Sequence, residues 1–463
     1  MAKHLRPLLS LAGPLILSST SVTAMQVIDA LVVTRHSAEA VAALGTSSMA
    51  VVLVQGLLFG TAGYCGTFAA HHQGAGDRPG IFRSAWLGIH VSWISGILGL
   101  ILSIFLPEIF RWVGHGPDIL EQEIVYTRIC LAGSLFPVLS AALGGWLAGI
   151  GRTSLVTIVT LASFVVNALL AWMFVLGRLG APAMGLAGAA WATLAAQAFA
   201  TLLYGVIFAR MGGLTKVHPK VTLAQMRHFI GLALPWGLRI SGEVLAWTLF
   251  LVFMGRMGTV ELAATTAAFR VNSIAFFPAL GLAQATGILV GQARGAGRDQ
   301  DVPAIGIQGL VLAEGWMLTM AAAFVFAGSW LAGWFMSPGP QGLAIVSLVV
   351  VSLRYVALYC LFDASNVLLS SVLSSTGDTR WVAKVFAIAS AIFLVALWCN
   401  DHFSGGYHLA WILAVVFILG TATAWALRFS SGAWKSMAVL RESNLELARP
   451  GVMEPNRSPQ EEP

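Results

Sequence analysis

Seven ionisable side chains lie where apolar sequence surrounds them. Asp29, Glu243, Glu314 and Asp363 fall inside long hydrophobic runs, as do Arg239, Arg270 and Arg354. A charge at mid-bilayer costs at least about 2.5–3.5 kcal/mol, so each is a candidate functional group. Burial favours the neutral form of a carboxylate, whereas a nearby cation favours the ionised form. Such a group can trade a proton for a positively charged ligand. Gln26 lies one helical turn before Asp29 on the same face. Tyr359 precedes Asp363 by four residues, again on one face. Two carboxylates, Glu243 and Asp363, offer hard oxygen ligands to a cation, or share a proton when none is bound. Arg239, four residues before Glu243, is within reach of an ion pair, and structural pairing is the alternative role for that carboxylate. Arg270 and Arg354 offer further partners. Glu314 is expected in a structural ion pair, outside the site.

The elements that hold these groups must be membrane helices. The chain is 57% hydrophobic and 10% charged, with mean hydropathy +0.82, against about 25% charged residues in a typical soluble domain. Runs long enough to cross about 30 Å of hydrocarbon recur at 8–34, 41–70, 84–106, 124–148, 154–177 and 185–209. A second set follows at 228–254, 261–292, 303–336, 343–374, 381–399 and 407–427. The first run resembles a signal peptide, but it continues too far and ends without a small-x-small cleavage site, so it is read as an uncleaved span. The expected fold is an all-α integral membrane protein of twelve transmembrane helices in two pseudo-symmetric six-helix lobes. Residues 1–215 and 216–435 form the lobes, joined by a basic linker near 210–227, and 436–463 form a polar, disordered tail.

The two sets repeat 221 positions apart. Leu11-Ala12-Gly13-Pro14 aligns with Leu232-Ala233-Leu234-Pro235, Gly60 with Gly281, and Gly74-Ala75-Gly76 with Gly295-Ala296-Gly297. Duplicated bundles of this kind are characteristic of secondary transporters. The polar groups do not repeat: Asp29 aligns with Phe250, and Glu243 with Val22.

Of the 26 Lys and Arg residues, 18 fall in the termini and even-numbered connections, 5 on the opposite side and 3 within spans. That bias places both termini in the cytoplasm of a bacterial-type inner membrane. The sequence pI near 9.4 does not indicate nucleic acid, because the basic residues are scattered over short loops.

Pro14 early and Asp29 late in the first span, a Gly-Ala-Gly turn after the second, and their counterparts Leu234-Pro235 and Gly291-Gln292-Ala293-Arg294-Gly295-Ala296-Gly297 resemble the multidrug and toxic compound extrusion (MATE) family. The resemblance covers about residues 8–430. It implies an N-half site of Asp29 and Asn167, and a C-half cation site of Glu243, Tyr359 and Asp363, the latter a possible Na⁺ site. Many members carry a second polar residue four positions after that Asn, where this chain has Ala171.

Other chemistries find no support. Neither Gly-Ala-Gly turn has G-x-x-x-x-G-K-[ST], so both read as helix stops rather than phosphate loops. His71-His72 lacks metal-ligand spacing, and Cys65, Cys130, Cys360 and Cys399 lie singly in apolar runs. No nucleophile–base pair suggests an enzyme. Pro14, Pro137, Pro235 and Pro278 mark hinges or fixed kinks within spans. The expectation is a monomeric antiporter without cofactor, exporting amphipathic, cationic small molecules in exchange for H⁺ or Na⁺. The alternative is a flippase for lipid-linked oligosaccharide.

Overall fold

The computed structural model describes residues 2–113, 115–214, 221–334 and 340–440, and their main secondary structure is α-helical. The N-terminal half comprises α1 (Ala2–Thr34), α2 (Ala38–Gly63), α3 (Cys65–Ala75), α4 (Arg78–Phe105), α5 (Phe110–Val113), α6 (Pro117–Ala132), α7 (Leu135–Gly149), α8 (Thr153–Leu176) and α9 (Gly185–Arg210). The C-terminal half comprises α10 (Leu223–Met257), α11 (Thr259–Gly295), α12 (Val302–Phe326), α13 (Gly328–Gly333), α14 (Pro340–Ser375), α15 (Thr379–His402) and α16 (Gly406–Ser430). Eleven candidate spans are long and apolar enough to cross a membrane, with α2 and α3 counted as one; the α6–α7 pair, bent by 47°, is the twelfth.

The bend has a local cause. Pro137 has no N–H to bond the carbonyl of Gly133, so the helix breaks between Ala132 and Leu135. This span also begins earlier than its apolar run at 124–148: α6 opens at Pro117 and carries Glu121, Gln122 and Glu123 into the helix.

The first helix of each half packs into the other half. α1 lies against α8 and α11, and α10 lies against α15 and α2. Leu8, Leu11, Ala12 and Leu15 of α1 join the core built mainly by the C-terminal half. Phe229, Leu232 and Ala233 of α10 join the N-terminal core. Phe229, Leu232 and Ala233 are the 221-shifted counterparts of Leu8, Leu11 and Ala12, so the exchange is reciprocal.

Between apolar helices in lipid, association depends on close packing, which small residues permit. A Cβ on Gly60 would stand 2.7 Å from the Cα of Gly237, and one on Gly281 would stand 2.9 Å from the amide of Ile16. These are one contact made twice, since Ile16 and Gly237 also differ by 221. The same holds where α3 meets α11: a Cβ on Gly74 would enter the Gln292 carbonyl, and one on Gly295 the His71 carbonyl. The last glycine of each turn does a different job. Gly76 and Gly297 adopt left-handed backbone, at φ 69° and 70°, and stop their helices as expected. Asp77 then caps α4 by accepting from the Gly80 amide at 3.0 Å and pairs with His72 at 2.8 Å. Burial opposes its charge, but the His72 and Gly80 hydrogen bonds and the Arg83 charge hold it below the ordinary carboxylate range.

Hydrogen bonds seal this end of the bundle. His71 Nε2 meets the Ser375 carbonyl at 2.8 Å, Gln292 Nε2 donates to the Gly149 carbonyl at 2.9 Å, and Tyr64 donates to the Ser374 carbonyl at 2.7 Å. Each joins one half to the other. Arg294, at the end of α11, donates to the carbonyls of Trp434 and Met437, both at 2.9 Å. The chain therefore stays packed past residue 436, where a polar tail was expected to begin, and Val439 and Leu440 are buried. Residues 441–463 of that tail and 215–220 of the linker lie outside the described residues.

Filling these backbone contacts should loosen the bundle. Gly74→Val and Gly295→Val are each expected to cost about 1–3 kcal/mol by overpacking, seen as a lower melting temperature in detergent. Gly13→Ala, where nothing lies within 4 Å of an added Cβ, should leave that temperature unchanged or slightly raised.

Candidate cation and substrate site

Each half of the bundle holds a carboxylate engaged by a side-chain amide. In the N-terminal half, α1 presents Asp29 to α8, where Asn167 Nδ2 donates to Asp29 Oδ1 at 2.7 Å. Asn167 is fully buried, and its Oδ1 has no hydrogen-bond partner. That orphaned acceptor beside an acid is a place for a donor or a cation. Thr193 of α9 also hydrogen-bonds the carboxylate, and Tyr126 of α6 lies within electrostatic reach. Gln26 is on α1, but its side chain lies outside the described residues. Ala171 is fully buried one turn beyond Asn167 and adds no ligand.

In the C-terminal half, α10 brings Arg239 and Glu243 together, with Nη2 to Oε2 at 3.4 Å. On α14, Tyr359 and Asp363 are buried, at 3% and 5% exposure. Asn366 Nδ2 donates to Asp363 Oδ1 at 3.4 Å, and Trp425 Nε1 on α16 fixes Asn366 by donating to its Oδ1 at 2.9 Å. Glu243, Arg239 and Glu314 are all charged neighbours of Asp363. The three sequence-predicted residues of this half therefore stand in one region, with Arg239 among them.

Glu314 departs from expectation. No ion pair involves it among the described residues; instead Ser365 Oγ donates to Glu314 Oε1 at 2.6 Å. It adds negative charge near Asp363 rather than being neutralised. Arg270 and Arg354 are exposed and form no ion pair with these carboxylates among the described residues. The nearby aromatic side chains mostly pack on one another: the Trp247 ring meets those of Phe250, Phe269, Phe393, Phe417 and Tyr359.

A further acid was missed by the sequence reading. Glu123 is fully buried, accepts from Thr46, and pairs with His115 Nδ1 at 3.0 Å. Its position in Glu121-Gln122-Glu123 looks like loop, and only its helical phase one turn before Tyr126 marks it as inward-facing. Asn366, three residues from Asp363, was legible by spacing but not singled out.

Duplicated membrane helices around paired polar clusters define a polytopic transporter. The MatE family model matches residues 14–173 and again 235–398, one match per half, with starting points 221 apart. The chain belongs to the MatE family. It is 28% identical over 431 residues to a probable multidrug resistance protein NorM of Agrobacterium fabrum, covering 91% of this chain and 90% of that one. It is 29% identical over 428 residues to the corresponding protein of Deinococcus radiodurans, covering 91% of each. Among solved structures it resembles a MOP superfamily transporter from Pyrococcus furiosus, with TM-score 0.83 at 20% identity over 94% of this chain and 97% of that one. A multidrug resistance MATE family transporter in an outward-facing conformation matches equally well, with TM-score 0.83, 20% identity and the same coverage.

The amide–carboxylate contact is testable by a double-mutant cycle on Asp29→Ala and Asn167→Ala. Stability in detergent should show a coupling of about 1.5–3 kcal/mol, as for hydrogen bonds to charged groups. Additive effects would mean that the two side chains do not meet.

Proposed function

We propose that this protein is a secondary antiporter that exports amphipathic, cationic drugs or metabolites in exchange for inward H⁺ or Na⁺. The observation that carries this is the Asp29–Asn167 pair, a carboxylate held within the bundle beside an amide oxygen without a partner. Such a site accepts one positive charge at a time, so a small cation and a bulky one compete for it. Exchange requires that the small cation favour one conformation more than the other. Asp363, held by Asn366, provides a second carboxylate in the C-terminal half. The multidrug resistance names of the NorM relatives support chemically diverse substrates.

The Lys and Arg distribution supports a bacterial inner-membrane orientation with the glycine seam and both termini facing the cytoplasm. In that orientation the His71, Gln292 and Tyr64 hydrogen bonds close the inner side, and transport requires them to break and re-form. The flippase alternative is not favoured, because the relatives similar over nine-tenths of the chain are named as multidrug resistance proteins.

Reconstitution into proteoliposomes tests the proposal. An imposed H⁺ or Na⁺ gradient should drive export of a fluorescent cation. Asp29→Asn and Asp363→Asn should each reduce that coupled export by about tenfold or more, the scale of one lost charge-assisted interaction. Undiminished coupling in both variants would remove the carboxylates from the mechanism.

A further inference from the structure

Arg239 and Glu243 occur together in one half only. Their counterparts 221 positions earlier are Ser18 and Val22, so the C-terminal half carries a cation and an anion where the other half has neither. The Arg239 side chain is 6% exposed. It lies over the Trp236 ring at 5.2 Å and the Phe386 ring at 5.5 Å, while Nη2 meets Glu243. Trp236 belongs to α10 and Phe386 to α15, so two helices clamp the group. Its charge also acts on Asp363 of α14, near which Glu314 of α12 adds a further negative charge. Arginine does not give up its proton, so this positive charge is permanent.

We infer that Arg239 is a built-in counter-cation occupying the Glu243, Tyr359 and Asp363 constellation, so that Na⁺ has no site there. The inference rests on the antiport proposal only in treating this constellation as a coupling region. A hard cation needs several oxygen ligands to replace its hydration. Here Glu243 shares its carboxylate with the guanidinium, and Asp363 Oδ1 accepts from Asn366. A Na⁺ beside Glu243 would face a fixed like charge in weakly screening surroundings, and the aromatic clamp opposes withdrawal of that charge. Arg239 is thus an ion-specificity residue.

Equilibrium ²²Na⁺ binding to the purified full chain in detergent tests this. Wild type should show no saturable binding that Asp363→Asn abolishes over the range in which Arg239→Gln saturates. The half-saturation concentration in Arg239→Gln should be at least about tenfold lower than any wild-type limit, because a like charge has been removed. Arg239→Lys, which keeps the charge, should behave as wild type. Saturable wild-type binding that is lost in Asp363→Asn would overturn the inference, a result that does not depend on how well Arg239→Gln folds. A folded Arg239→Gln protein that gains no Na⁺ binding would overturn it as well. Binding is measured without a gradient, so failure of both gradients to drive export would sink the antiport proposal and leave this result standing.

Discussion

The architecture depends on backbone meeting backbone at the glycine seam. Helices in lipid gain little by hiding apolar surface from one another, because the surrounding hydrocarbon is equally apolar. What holds two halves together must then be close packing and hydrogen bonds. At Gly74 and Gly295 the absence of a Cβ lets α3 and α11 approach to carbonyl contact. His71 and Gln292 spend their ring and amide nitrogens on carbonyls of the opposite half. The reciprocal packing of α1 and α10 follows the same logic at Gly60 and Gly281. The joint is formed from a few polar contacts and steric fits, and such contacts can be broken without exposing a large apolar core to water.

The duplication is preserved in packing and abandoned in chemistry. Leu8, Leu11 and Ala12 have core counterparts in Phe229, Leu232 and Ala233, whereas Asp29 faces Phe250 and Glu243 faces Val22. Packing constrains both copies equally, since each first helix must fit the other half. Charge is constrained only where it acts. One half thus holds a carboxylate with an amide; the other holds Glu243 paired with a clamped guanidinium whose charge also acts on Asp363. The two sites occupy different positions in the repeat and differ in ion chemistry.

Much of this was legible in the chain. Spans follow from hydropathy, and the glycine turns show the repeat because loop ends tolerate little else. Asp29 with Asn167, and Tyr359 with Asp363, were found from burial cost, helical spacing and family resemblance. Glu123 escaped because two polar neighbours hid its helix, and Glu314 was expected in an ion pair, whereas among the described residues its partner is the Ser365 hydroxyl. Val439 and Leu440 escaped because two apolar residues before a polar tail carry no periodic signal.

By itself the sequence determined the solvent, the number of spans, the duplication and the short list of acids, since these depend on composition and on neighbours along one helix. Only the tertiary structure decided which partner each acid has: Asn167 for Asp29, Ser365 for Glu314, His115 for Glu123, and rings from two helices around Arg239. A side chain's ion chemistry is set by atoms within a few ångströms, and in a helical bundle most of those atoms come from distant parts of the chain.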